Sequence, residues 1–323
     1  MSAPPAVSVI IPAYKVAGYI AETLDSVFAQ TFRDFEVIVV NDGSPDTAEF
    51  EREIEPYRGR IVYLKQANLG ASAARNAALR TARGEWAAFL DADDVWLPPY
   101  LSRQLAFLRE RGVDLVSANA LIFGQSRAAG MTYHEQLMPD APASEEVGFL
   151  ALLGGERSLI TSGVVVRRSL VLEAGLFDEG KINAQDFDLW LRLALRKARL
   201  AYHDEVLLRY RVHADSLSGD EVNIHRRELE VFDKVESSYP LAPEERPAAL
   251  AVMRRRRALL HFEIGKLLLL GGDAAGARAS FAEAVASGGG WKPRLAGFLV
   301  RAAPEWARAA YARRVARNGG NGR

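Results

Sequence analysis

The sequence predicts an α/β fold: an open, mostly parallel sheet carrying helices, followed by a small all-α region. Two observations carry that reading. Short apolar runs rich in β-branched residues alternate with helical patterns over the first 120 or so residues. From about Glu221 onward the strand signal stops and only helical pattern continues.

The runs are Val7 to Ile11, Glu36 to Val40, Ile61 to Leu64, Trp86 to Leu90 and Leu115 to Ser117. Between them Tyr19 to Ala29, Pro45 to Pro56, Gly70 to Ala82 and Pro98 to Arg111 place apolar residues at helical spacing. Strands buried on both faces and joined through helices make an open nucleotide-binding type of sheet. After Asn119 the rhythm loosens, and the Gly-, Ala- and Pro-rich stretch from Gly124 to Ala143 reads as a loop or lid. A helix over Ser144 to Leu153, a strand over Gly163 to Val166, an amphipathic helix over Asp186 to Leu195 and a strand pair, Ala201 to His203 with Val206 to Tyr210, complete the first domain.

The expected division is residues 1–220 and 221–323. In the second part, Leu259, Leu260, Ile264, Leu267 and Leu268 share a helix, Gly271-Gly272 turns the chain, and a further helix opens at Asp273. This resembles one tetratricopeptide hairpin, but no second copy follows at a period of roughly 34 residues. It reads as a packing appendage.

Composition narrows the function classes. At 323 residues, 49% hydrophobic and 25% charged, the chain can bury a sizeable core. Forty-one basic and 41 acidic residues cancel, which argues against nucleic acid as a partner held by a global positive field. The absence of cysteine excludes disulfides, thiolate metal sites and a cysteine nucleophile. With neither a secretory pattern at the N-terminus nor a run of ~18 apolar residues, a cytoplasmic location is expected. The charge is uneven, however: from Lys292 to Arg323, eight basic side chains face the single acid Glu305. Trp291, Leu295, Phe298, Leu299, Trp306 and Tyr311 are interleaved with them. That pattern suits peripheral contact with the anionic inner face of a membrane, or a solvated face on a packed C-terminal helix.

Asp91 and Asp93 stand at i, i+2 directly after the apolar strand ending at Leu90. Ligands meet a parallel sheet at the C-terminal ends of its strands. Hard divalent cations take carboxylate oxygens together with substrate phosphates. An acidic turn capping a helix is the competing reading, and Asp94 either competes for the metal or caps that turn. At two further strand ends lie Asp42, which could accept a nucleobase imide N–H, and Tyr14, which could supply a flat apolar face. An Asx-turn and a core-edge tyrosine would explain them as well.

Four motifs occur in order over about 90 residues: Val7-Ser-Val-Ile-Ile-Pro-Ala-Tyr14, Asn41-Asp-Gly-Ser44, Asn68-x-Gly70-x-Ser72-x-x-Arg75-Asn76 and Asp91-x-Asp93. Together they resemble the family 2 glycosyltransferases of GT-A fold, a likeness that runs to about Ser218. The resemblance implies a GT-A-type open mixed sheet and an inverting transfer from a nucleotide-diphosphate sugar, expected to be a UDP-sugar. The acceptor would be a hydroxyl of a glycan, glycolipid or protein. It assigns Pro12, Ala13, Tyr14, Asp42, Asn68, Gly70, Arg75, Asp91, Ala92 and Arg211 to the donor, with Asp42 on the base. Asp93 becomes the direct metal ligand, joined by Asp91 and His213, for Mn²⁺ or Mg²⁺. Arg211 and His213 belong to an Arg-x-His-x-x-Ser segment ending at Ser216. Thr161-Ser162-Gly163 falls where relatives approach the acceptor.

Inversion by direct displacement needs one base for the incoming hydroxyl. The resemblance gives that role to Asp186 in Gln185-Asp186-Phe187-Asp188, where Gln185 stands in place of the usual acid. Lys15 is a second departure, since many relatives carry Asn there. His134 and His203 read as structural or solvated. Two rivals remain: a non-catalytic carbohydrate- or nucleotide-binding protein on a decayed transferase fold, and a sugar nucleotidyltransferase. The latter should carry a Gly-rich loop with Arg and Lys after the first strand, unlike Pro12 to Gly18. A dehydrogenase would need G-x-G-x-x-G at that place, and it is missing.

Overall fold

The computed structural model describes residues 3–126, 128–180, 184–213 and 221–319. Backbone contacts divide the chain into two units, Met1–Leu152 with Glu156–Ser216, and Leu153–Gly155 with Leu217–Arg323.

The first unit begins with β1 (Val7–Ala13), α1 (Ala17–Phe28), β2 (Phe35–Asp42), α2 (Thr47–Glu53), β3 (Val62–Gln66) and α3 (Ala71–Thr81). Then come β4 (Trp86–Phe89), the short β5 (Val95–Trp96), α4 (Tyr100–Arg111), β6 (Leu115–Gly124) and α5 (Tyr133–Leu137). It continues through β7 (Ser144–Val147), α6 (Phe149–Leu153), a 3₁₀ turn at Thr161–Gly163, β8 (Val164–Arg167), α7 (Arg168–Glu173), α8 (Gln185–Leu195) and β9 (Leu200–Val212).

The strands form one sheet in the order β3-β2-β1-β4-β8-β6-β9-β5, with β7 on β9. β1 pairs in parallel with both β2 and β4, so the ends of these strands open onto one edge. β8 runs antiparallel to β4 and β6, which makes the sheet mixed. Val9, Ile11, Val37, Val39, Ala88 and Val165 are fully or almost fully buried in its core. β-branched side chains favour this pleated, two-sided burial, which explains why the apolar runs become strands.

Three local expectations change. Ser144 to Leu153 is not one helix: Ser144–Val147 is a strand antiparallel to β9, and α6 begins only at Phe149. The four-residue ladder with β9 overrides the local helical pattern, and Glu145 and Glu146 meet Arg157 at 2.6 Å and Arg199 at 2.5 Å. The loop from Gly124 to Ala143 holds α5, opened by a capping box in which Thr132 and Glu135 satisfy each other's backbone N–H. The strand pair at Ala201 to Tyr210 is a single strand, β9, whose register against β6 slips near Asn119.

The second unit consists, among the described residues, of α9 (Glu221–Ser238), α10 (Arg246–Leu270), α11 (Ala274–Ala286), α12 (Trp291–Ala302) and α13 (Pro304–Gly319). Asp273 caps α11 by accepting from the Gly276 amide at 2.8 Å. Leu269, Ala277, Phe281, Ala296, Val300 and Ala307 form its core. Gly265 lets α10 approach α11, since a Cβ there would stand 2.5 Å from the Phe281 ring. No helix among the described residues is long and apolar enough to cross a membrane.

Candidate active site

The end of β1 leaves Pro12 half-buried and Ala13 buried, and Tyr14, which opens the following loop, is exposed. That loop is fastened to the loop after β2. The Lys15 amide donates to Ser44 Oγ at 2.7 Å, Ser44 donates to Asp46, and Asp46 accepts from the Ala17 amide at 3.0 Å. This fastening holds Lys15 at φ 57°, left-handed backbone in which a lysine gains nothing and an asparagine is far better tolerated. Lys15→Asn is therefore expected to stabilise the fold by about 0.5–1 kcal/mol, read as a rise in thermal midpoint.

Asp42 ends β2 nearly buried, and its carboxylate faces the chain that leads into α3. Oδ1 accepts from Gln66 Nε2 at 2.8 Å and from the Leu69 amide at 2.9 Å, and Oδ2 accepts from the Gly70 amide at 2.8 Å. Three of its roughly four acceptor directions are thus spent on shaping the loop that presents Asn68 and Gly70. Gly43 makes the approach possible. Its φ is +64°, and a Cβ there would lie 2.5 Å from the Asn68 nitrogen.

The strand end after β4 gathers the acids. Asp91 Oδ1 is clasped by Arg75 Nη2 at 2.5 Å, so the arginine of α3 reaches the first carboxylate. Ala92 is buried, and its carbonyl and that of Asp94 both accept from Thr23 Oγ1 of α1. Asp93 Oδ2 lies 3.0 Å from His213 Nε2, joining the acidic turn to the end of β9. Burial first, and then the negative charge of Asp91, push the Asp93 carboxyl upward, while the His213 hydrogen bond works against both. Asp94 is fully buried and accepts from the Arg211 amide at 2.7 Å. Burial first, and then its two acidic neighbours, push it well up. The Arg211 guanidinium donates to the Asp93 carbonyl at 2.7 Å and pairs with Glu22. Ser216 lies outside the described residues.

Asp186 sits half-buried in the first turn of α8. Its Oδ2 accepts from Thr161 Oγ1 at 2.6 Å, and its Oδ1 from the Phe187 amide at 2.8 Å. The next residue in the 3₁₀ turn, Ser162, accepts from the Asp91 amide at 3.2 Å, and its own carbonyl accepts from Trp96 Nε1 at 2.8 Å. Two adjacent hydroxyls thereby tie Asp186 to the acidic strand end, through a turn packed on both sides. Tyr133 lines the same neighbourhood. Burial pushes its phenol up to about 12, the negative charge of Asp186 adds to the rise, and Ser158 bonds it at 2.8 Å.

The turn has a buried buttress. Gln104 of α4 donates to the Gly163 carbonyl at 2.6 Å, and its Oε1 lies 2.8 Å from His203 Nε2. Burial lowers His203 to about 4, so it stays neutral in the fold although it would titrate near 6.5 when unfolded. The unfolded chain then binds the extra proton, and stability present above pH ~6.5 is lost as pH falls toward ~4. The expected loss is about 2–3 kcal/mol, measured as the difference in acid sensitivity between the chain and His203→Gln. His134 is likewise buried and bonded to Asp204 at 2.5 Å.

Among the described residues, no three His, Asp or Glu side chains already stand as a metal cage. The Asp93–His213 pair beside Asp91 still fits a divalent ion. Hard oxygen donors and one imidazole suit Mn²⁺ or Mg²⁺.

Several residues that build the site carry no motif weight in the sequence: Glu22 and Thr23 on α1, Trp96, Gln104, and Tyr133 on the segment read as a lid. Asp188 carries no role in the sequence reading. It is buried and holds Arg192 at 2.7 Å, which in turn bonds the carbonyls of Ala174 and Leu176.

The description "Glycosyl transferase family 2" matches residues 8–171. An uncharacterized glycosyltransferase, RP339, of Rickettsia prowazekii is 31% identical over 238 residues, 73% of this chain and 71% of that protein. The chain spans only about a third of the length of several longer Rickettsia relatives it also matches. Among solved structures, mannosyltransferase PcManGT of Pyrobaculum calidifontis in complex with GDP-Man and Mn²⁺ superposes with a TM-score of 0.62 at 21% identity. That match covers 96% of this chain and 85% of the other. Staphylococcus aureus TarS 1-349 in complex with UDP gives 0.55 at 22%, over 87% and 88%. With its mixed open sheet and a family match over half its length, the chain belongs to glycosyl transferase family 2.

Proposed function

We propose that the chain is an inverting glycosyltransferase that moves a sugar from a nucleotide-diphosphate donor, a UDP-sugar in the first instance, to an acceptor hydroxyl. The observation that carries this reading is the Thr161–Ser162 clasp. One hydroxyl holds a candidate base, and the next holds the backbone of the candidate donor-side acid.

In the proposed reaction Asp186 accepts the proton of the incoming hydroxyl, whose oxygen attacks the anomeric carbon. The bond to the diphosphate breaks on the opposite side, and nucleoside diphosphate leaves. Thr161 and the Phe187 amide hold the carboxylate in position. Tyr133 and the buried turn restrict water beside it. Gln185 leaves no second acid directly beside the base. On the donor side, Asp93, Asp91 and His213 would hold the divalent ion, which when bound offsets the charge of the leaving diphosphate. Arg75 orients Asp91, and Arg211 fixes the Asp93 backbone. Asp42 offers its remaining acceptor direction to the nucleobase, with Tyr14, Pro12 and Ala13 beside it and Asn68, Gly70 and Ala92 along the donor. The acceptor belongs to the glycan, glycolipid or protein class.

The test is release of nucleoside diphosphate from a panel of UDP-hexoses and GDP-mannose with Mn²⁺, beside thermal shifts of the same mixtures. A donor that raises the midpoint and is turned over supports the reading. If no donor shifts the midpoint and none is consumed, the site is not a transferase site.

A further inference from the structure

Helix α12 has two apolar faces. Pro293, Ala296 and Val300 are buried, and Ala296 and Val300 join the core of the second unit. Trp291, Leu295 and Phe298 are exposed, at 68%, 46% and 66%, with exposed Ala302 continuing their row. At about 100° per residue the two faces point roughly 160° apart, so the aromatic stripe faces away from the packing that anchors the helix. Burial therefore does not account for it, and large exposed aromatics in one row mark a contact surface.

The charges around the stripe indicate what it contacts. Lys292 lies along one flank, Arg294 and Arg301 along the other, all exposed, and none takes part in an ion pair among those described. The helix carries no acid. Beside Trp291, a groove of about 500 Å³ between α10 and the turn before α12 is walled by Leu259 and Phe262 and rimmed by Arg254, Arg255 and Lys292. An apolar ridge with cations on both flanks lets the rings enter an acyl boundary while the cations stay at headgroup level. A surface of uniform negative charge complements a helix without acids.

We propose that the α12 face docks on an anionic phospholipid bilayer, with its axis in the interface plane and the α10–α12 groove taking a phosphate-bearing headgroup. This rests on α12 and the adjoining face of α10 and holds or fails independently of the transferase chemistry.

The experiment is co-sedimentation of the full chain with vesicles of phosphatidylcholine, and of phosphatidylcholine mixed with phosphatidylglycerol, at low and high salt. Binding to the anionic vesicles that weakens with salt is expected. It should fall at least tenfold in Trp291→Ala/Phe298→Ala, and comparably in Lys292→Glu/Arg294→Glu/Arg301→Glu, with helix content and thermal midpoint held. Binding equal on both vesicle types, binding unchanged in the variants, or no binding would overturn the proposal. So would a concentration-dependent dimer that the Trp291→Ala/Phe298→Ala variant dissolves without any vesicle binding, since the face would then belong to a second copy.

Discussion

Asp186→Asn is expected to lower turnover about 10²- to 10⁴-fold, a barrier increase of about 3–5 kcal/mol, while donor affinity stays near that of the parent chain. Asparagine keeps the size of the side chain and one acceptor oxygen for Thr161, so the clasp to the 3₁₀ turn survives. What disappears is the capacity to take a proton. Steady-state kinetics with a saturating donor, together with donor titration by thermal shift, separate the two effects. A merely structural acid at the start of α8 would instead lower the midpoint and leave turnover per folded molecule unchanged.

On the proposed reading, Asp93→Asn is expected to reduce turnover roughly 10³-fold or more and to abolish the part of donor binding that depends on Mn²⁺, because the ion would lose one of its two carboxylate ligands. The bare protein should not be destabilised in proportion. Asp93 is pushed up by burial and by Asp91, so removing its charge relieves repulsion at that strand end even as the His213 contact weakens. The readout is therefore split: the midpoint without ligand stays level, whereas the Mn²⁺-dependent shift on adding donor disappears. Asp94→Asn gives the contrast. That carboxyl is already pushed toward its neutral form and braces the Arg211 amide, so its substitution should leave the metal dependence in place.

Much of the strand-end cluster proposed to meet the donor is legible in the sequence because parallel strands deliver their C-terminal ends to one place. Val7 to Tyr14, Asn41 to Ser44 and Phe89 to Asp94 each read as strand followed by polar turn, and β1 does pair with both β2 and β4. The reversal of β8 is invisible in Gly163 to Val166, since an apolar run of four looks the same in either direction. For a similar reason Ser144 to Val147 resembles the start of the helix that follows it, and only the distant pairing with β9 decides otherwise. The clasp at Thr161 and Ser162 joins residues 25 and 71 positions apart in the chain, and no local pattern encodes such a pair. Asp42 teaches a finer lesson. A carboxylate at a strand end invites a ligand role, yet three of its hydrogen bonds go to its own fold, and the same geometry that would meet a nucleobase also builds the loop around it.

The most direct measurement is the anomeric configuration of the first glycosidic product formed from an α-linked nucleotide sugar, read from the one-bond carbon–proton coupling at the anomeric centre. One displacement with Asp186 as proton acceptor requires a β-linked product. An α-linked product would contradict it, since retention demands a second displacement or attack from the leaving-group side, and neither is served by a lone carboxylate held by Thr161.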